Sequence, residues 1–497
     1  MAIIADLQQL ILNNLGLPPT KEQQTAAFSI ARFMLDDCVG GDRLFILRGY
    51  AGTGKTSLIS ALVKTLHQLG RRTVLMAPTG RAAQVFATHA GFTAFTIHKR
   101  IYRQKSFSGE MMDFMQGVNL LKHTLFIVDE ASMVSNVGGV SQHSAFGTGC
   151  LLDDLVQFVY SGPGCKLMLV GDDAQLPPVG ELFSPALSVS KMESYGLSVE
   201  EAVLTEVVRQ LDSSGILYNA TMLRRMLSEG LDGVFPQIRL NGFADIRTVQ
   251  GEELIESLEN AYANAGMEQT IVISRSNKRV TAFNQGIRSR ILCYEGELEG
   301  GERLMVVKNN YHWLQENEDE EEVDDDKRGS ATADFIANGD MLTLERYRNE
   351  RSVHGFRFID ATLCLGDGET SIQATMMLDT LTSEAPSLTA AQQQQLFQAV
   401  WDDYPELRNK RDRMKAVQKD MFYNALQVKY AYSVTCHKAQ GGQWEEVFID
   451  QGYITEDMVD ADYFRWLYTA LTRATRHVYL VNWPKQMLAD SERWNND

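Results

Sequence analysis

The stretch that most constrains this chain is GYAGTGKT at 49–56. It follows an apolar run, LFIL at 44–47, and precedes a segment with helical spacing at 57–69. Strand, glycine-rich loop and helix in that order make a phosphate-binding loop. Gly49, Gly52 and Gly54 let the backbone wrap close to oxygen atoms with N–H groups inward, and Ala51, Thr53 and Ser57 complete the cradle. Lys55 offers a point charge to β and γ phosphates, and the Thr56 hydroxyl offers a ligand to Mg²⁺. The helix N-terminus adds partial positive charge. A nucleoside triphosphate site on an α/β fold is the first expectation.

The surrounding pattern agrees. Runs at 44–47, 73–77, 125–129 and 166–172 have few polar interruptions. Such runs suit parallel strands buried on both faces, with helices between them. A second α/β pattern starts near Thr270, with a strand and turn at 270–277 and a helix at 279–291. It is interrupted over 301–424 by an acidic run (316–326), by β-like pieces at 341–347, 356–365 and 371–378, and by a polar helical stretch around Gln392. It resumes at Gln427. The polar segment 99–117, studded with Met and Phe, reads as a smaller insertion. Two α/β cores follow: one from 1–98 and 118–260, the other from 261–300 and 425–497, with insertions at 99–117 and 301–424.

Composition excludes several alternatives. The chain has 497 residues, enough for about two to four domains. No apolar run of about 18 residues occurs, so no membrane span is expected. The N-terminal stretch lacks a basic region and carries Asp6, which reads as a short amphipathic helix and not a secretory leader. Six scattered cysteines, without a CxxC or an HExxH, argue against zinc or a disulfide framework and suit a reducing cytoplasm. The net charge of −17 by itself disfavours a nucleic-acid partner. Much of that excess sits in the acidic run, however, and a local basic channel can coexist with it.

Two further strand ends carry polar groups. LFIVDEAS places Asp129 and Glu130 just past a buried strand, where Asp129 suits Mg²⁺ and Glu130 suits a general base. LVGDDAQLPPVG at 169–180 places Gln175 within reach of a γ-phosphate or a water, ahead of a loop stiffened by Pro177 and Pro178. Near the C-terminus stand TCHKAQGGQW at 435–444 and LYTALTRA at 467–474.

This ordered series resembles the superfamily 1 helicases, and within them the 5′→3′ branch (superfamily 1B) of PIF-like, RecD-like and Dda-like DNA helicases. TKEQ at 20–23 is similar to that branch's Q motif, APTGRAA at 77–83 to motif Ia, TIH at 96–98 to motif Ib and LTEVVRQ at 204–210 to motif IV. The two C-terminal stretches resemble motifs V and VI. The likeness runs from residue 20 to about 476 and is weakest over 300–425.

The resemblance implies two RecA-like motor domains, with a small pin insertion (1B) at 99–117 and an SH3-like β insertion (2B) at 301–424. It implies ATP and Mg²⁺, with Gln23 reading adenine, Gly441 beside the nucleotide, and Arg209 and Arg473 as arginine fingers. It implies DNA contacts from Pro78, Thr79, Thr96 and His98 on one core and Thr435, His437 and Lys438 on the other. Phe107 is placed as a strand-separating residue of the pin. The implied partners are single-stranded DNA and duplex or forked DNA, with replication or repair proteins beside them. The implied setting is a monomeric motor in a cytoplasm of bacterial or phage type. A DNA-stimulated ATPase switch or clamp is the alternative. A metabolic kinase leaves the motif V and VI stretches unexplained.

Overall fold

The computed structural model describes residues 2–36, 42–104, 114–138, 148–207, 213–310, 312–314, 336–366 and 370–489. Phe107, Arg209 and the acidic run lie outside the described residues.

The first core is a six-stranded parallel sheet. Its spatial order is Ala94–Thr96, Thr73–Ala77, Leu125–Val128, Lys166–Gly171, Arg43–Gly49, Ser198–Leu204. Leu44 to Leu47 are fully buried because both sheet faces are covered. Phe45 and Leu47 pack towards helices Ala2–Leu15, Lys21–Leu35 and Lys55–Gln68. Leu44 and Ile46 pack on the other face, towards Ile97–Ile101 and Leu151–Tyr160. Strict alternation of one apolar run between two helical layers is what a central parallel strand requires. Every strand therefore ends at the same rim, where the polar groups of the phosphate loop and of Asp129 follow.

The second core is a five-stranded parallel sheet ordered Ser433–Thr435, Thr270–Ser274, Trp444–Asp450, Ala474–Val481, Ile246–Val249. Its membership corrects the boundary expected at 260. Ile246 and Val249 are buried and pair with Val478 and Val481, so this core already starts there. Helix Gly215–Glu229 shares an apolar cluster with helix Ala461–Leu471 through Ile216, Leu223, Phe464 and Leu467.

Between the two parts of the second core lies a closed barrel of Arg303–Val306, Met341–Val353, Phe356–Leu365, Ser371–Met377 and Leu426–Tyr430. The last strand corrects the boundary expected at 425. It pairs with Arg303–Val306 and Ser371–Met377 to close the barrel, and the parallel sheet resumes only at Ser433. Helices Ala390–Asp402 and Lys410–Lys419 rest on the barrel, packing Leu396, Val400 and Val417 against Phe356, Phe358 and Met377. They form a packed strut. Tyr102–Gln104 and Phe114–Gln116 form an antiparallel pair at the base of 99–117. The Tyr102 hydroxyl anchors that base by donating to Asp154 Oδ2 at 2.7 Å. Among the described residues, no helix is long and apolar enough to cross a membrane, and no group of three or more His, Cys, Asp or Glu side chains is placed to hold a metal ion.

Candidate nucleotide site and nucleic-acid face

The phosphate loop closes on itself. Gly52 and Gly54 have φ of +77° and +78°, a region that disfavours any side chain. A Cβ on Gly49 would stand 2.9 Å from both Thr53 Oγ1 and Lys55 Cγ. The Thr53 hydroxyl and the Lys55 ammonium both donate to the Tyr50 carbonyl, at 2.8 and 2.9 Å, and Lys55 also donates to the Gly49 carbonyl. Ser57 is exposed on the first turn of the helix.

Gln23 is buried under this loop. Its amide donates to the Thr53 carbonyl at 3.1 Å and its oxygen accepts from Thr20 N–H at 3.0 Å in a capping box. The side chain thus supports the loop from the helix that carries it. Its neighbour Glu22 accepts from Glu206 N–H at 2.8 Å and from Thr205, tying the same helix to the segment that leads to Arg209.

Two carboxylates face Lys55 from neighbouring strand ends. Burial, reinforced by Glu130, pushes the Asp129 pKa up to about 7, against the pull of Lys55. Burial also raises Asp172, which Lys55 and the Tyr468 hydroxyl oppose. Glu130 has φ of +51°, and its N–H donates to Asp129 Oδ1 at 2.9 Å. A left-handed glutamate costs on the order of 1 kcal/mol, and such strain collects at functional sites. Gln175 is buried, and its Oε1 has no hydrogen-bond partner among the described residues.

The second core supplies the other wall. Arg473 is buried, and its Nη1 lies 3.5 Å from Glu130 Oε1. Its Nε donates to the Thr469 carbonyl at 3.2 Å, which orients the guanidinium from its own helix. The Tyr468 hydroxyl contacts Ala51 N–H and Asp172. Thr469 Oγ1 accepts from Leu176 N–H at 2.9 Å, and Gln440 donates to the Leu176 carbonyl at 2.7 Å. Tyr468, Thr469, Gln440 and Asp172 stand inside motif-like stretches, yet no local spacing singles them out.

The donor set fits a magnesium nucleotide. It combines one lysine, one arginine from across the crevice, two strand-end carboxylates and an unsatisfied glutamine oxygen.

Gly441 meets the first core. With φ of +72°, a Cβ there would stand 2.6 Å from Ala82 Cβ and 3.3 Å from Thr79 Oγ1. Its nearest neighbours are thus side chains of the opposite core, which makes it a point of close inter-core approach. Arg81 reinforces that approach, donating to the Gln443 carbonyl at 2.9 Å and stacking 4.2 Å over the Trp444 ring.

The residues expected to touch DNA divide into two groups. Thr79 and Thr96 are helix N-caps, accepting from Ala82 N–H at 3.2 Å and Lys99 N–H at 3.1 Å. Thr96 is buried and its hydroxyl oxygen serves the helix start, while the residue also borders the cleft between the first core and the barrel. Pro78 and Thr435 are half-buried, and His437 is exposed. Burial pushes His98 down to about 4, which keeps its ring neutral for stacking or hydrogen bonding. Burial, with Lys429 nearby, pushes Lys438 down to about 8, and its ammonium donates to Asn338 Oδ1 of the barrel. The same barrel loop brings Asp340 against Gly80. A cleft of about 660 Å³ opens there, walled by Lys99 of the first core, Gln443 of the second, and Arg303 and Asp340 of the barrel.

Two parallel-sheet lobes sharing one phosphate-loop crevice define a two-lobed P-loop NTPase. Residues 22–230 match a family described as an AAA domain, and residues 430–481 match the UvrD-like helicase C-terminal domain. The ATP-dependent RecD2 DNA helicase of Deinococcus radiodurans is 27% identical over 286 residues, covering 56% of this chain and 35% of that protein. The multifunctional conjugation protein TraI of Escherichia coli K12 is 28% identical over 179 residues, covering 34% of this chain and 8% of that protein. A solved Pif1 helicase from Bacteroides, in complex with ADP-AlF3 and ssDNA, superposes with a TM-score of 0.44 at 16% identity, covering 95% of this chain and 94% of that one. The chain spans about a third of the length of the first curated relatives it matches. The chain thus carries a region matching an AAA domain followed by one matching a UvrD-like helicase C-terminal domain.

Proposed function

We propose that this chain is an ATP-dependent DNA helicase that moves 5′→3′ on single-stranded DNA and unwinds duplex and forked DNA. The observation that carries the reading is the 3.5 Å approach of Arg473 to Glu130 across two lobes. Hydrolysis in such a crevice depends on lobe closure, and closure changes how the lobes hold a strand.

In this reading Gly49, Ala51, Gly52, Thr53, Gly54 and Ser57 cradle the phosphates, Gln23 reads the base, and Lys55 balances β and γ charge. Thr56 and Asp129 would hold Mg²⁺, which neutralises charge on the transferring phosphate when bound. Glu130 takes the proton of the attacking water and Gln175 orients it. Arg473 and Arg209 meet the negative charge that develops on the γ-phosphate. Gly441 lets the second lobe close against the first.

The strand lies over Pro78, Thr79 and His98 on one lobe and Thr435, His437 and Lys438 on the other, with Thr96 acting through its helix. The insertion 99–117 is the pin, with Phe107 as the separating residue, and the barrel is the SH3-like insertion. A monomeric cytoplasmic motor working beside replication or repair proteins completes the proposal. Direction rests on the family resemblance.

The test is strand displacement from a duplex with a 5′ tail against one with a 3′ tail, with Glu130→Gln as the hydrolysis-deficient control. Displacement of the 5′-tailed substrate alone is expected. ATP hydrolysis without displacement of either would instead indicate a clamp or switch.

A further inference from the structure

Tyr468 is buried on helix Ala461–Leu471 of the second lobe, yet both partners of its hydroxyl belong to the first. The oxygen accepts from Ala51 N–H at 2.9 Å and donates to Asp172 Oδ2 at 2.6 Å. Ala51 is in the phosphate loop. Asp172 follows strand Lys166–Gly171 and also accepts from Ala174 N–H at 3.0 Å. One hydroxyl of the second lobe therefore joins two phosphate-facing segments of the first. The next residue, Thr469, holds Leu176, so one helical turn grips both ends of 172–176. Gln175, with its unsatisfied oxygen, lies between those two grips.

An amide donating to this hydroxyl has its peptide plane set by the opposite lobe. A buried carboxylate that loses one of its donors is costly, because hydrogen bonds to charged groups are stronger than those between neutral groups. The Ala51 amide and Asp172 Oδ2 share this partner only while the helix carrying Tyr468 is docked. Movement of that helix therefore changes the phosphate loop and the 172–176 segment together.

We infer that Tyr468 is a positioning residue, holding the Ala51 peptide and the Asp172 carboxylate in register when the lobes close, so that strand engagement is felt at the phosphate loop. The inference rests on the motor reading above. It differs from a packing role, because the ring alone would serve for packing.

Tyr468→Phe keeps the ring and deletes the hydroxyl. In nucleotide-free protein, amide hydrogen exchange in peptides covering 49–54 is expected to quicken about tenfold. In hydrolysis assays with oligothymidine, stimulated kcat is expected to fall about tenfold while KM for ATP stays within about twofold. Asp172→Asn, a second and isosteric variant, should also lower stimulated kcat, and combining the two should cost less than the product of the single losses. If stimulated kcat stays within twofold in both variants, or if their losses multiply, the inference is overturned even though the motor reading stands. A wild-type protein whose hydrolysis ignores the strand would remove the motor reading and this inference with it.

Discussion

Arg473 Nη1 lies 3.5 Å from Glu130 Oε1, although the two residues sit on different lobes and are separated by more than three hundred positions. Arg473 is buried and held by the Thr469 carbonyl, so its charge is pre-aimed and weakly screened. Arg473→Ala is therefore expected to lower DNA-stimulated kcat by about a thousandfold, the scale of arginine-finger loss. Arg473→Lys should recover little, since a point charge lacks the planar fork. Glu130→Gln should cost about 10²–10⁴ in kcat with nucleotide binding retained. Steady-state hydrolysis with and without oligothymidine checks all three.

Gly441→Ala should hinder closure. The added carbon would meet Ala82 Cβ at 2.6 Å, on a backbone whose φ is +72°. A loss of about tenfold in strand-stimulated hydrolysis is expected, with the melting temperature lowered by only about 1–2 °C through the left-handed alanine. Ala82→Gly in the same protein should restore part of the rate. The residual deficit reflects the left-handed conformation, about 1 kcal/mol. If the double variant is no faster than Gly441→Ala alone, the clash is not the cause.

Strand affinity should depend on pH through Lys438. Its pKa is pushed down to about 8, so it is mostly charged at pH 7 and loses charge as pH rises through 8. Affinity for oligothymidine at fixed salt should fall about three- to tenfold between about pH 7 and 9. Lys438→Arg, which stays charged, should flatten that dependence. Fluorescence anisotropy across the range is the measurement.

Asp340 should destabilise the fold at neutral pH. Burial raises its pKa to about 6, with Lys99 opposing. The unfolded chain ionises at its ordinary, lower value, so stability falls as pH rises from that value through 6 and stays lower above it. Asp340→Asn removes the penalty. Its melting temperature should exceed wild type by about 1–2 °C at pH 7.5, with the gain fading by about pH 4. An equal gain at both pH values would mean that ionisation is not responsible.

What the sequence determined was local. Uninterrupted apolar runs such as 44–47 and 166–172 must be covered on both faces, which forces parallel sheets flanked by helices. The loop 49–56 needs its glycines where backbone turns left-handed, and Asp129 and Glu130 had to follow a buried strand. Only the tertiary structure decided which core each strand joined. Ile246–Val249 (IRTV) and Leu426–Tyr430 (LQVKY) are short strands with polar interruptions, and one opens the second sheet while the other closes the barrel. It also decided that Thr96 spends its hydroxyl on a helix start, that Gly441 abuts Ala82, and that Tyr468 reaches Ala51. The physical reason is range. Periodicity records which face of an element is buried, whereas these contacts depend on how two lobes pack, and no short stretch of chain encodes that.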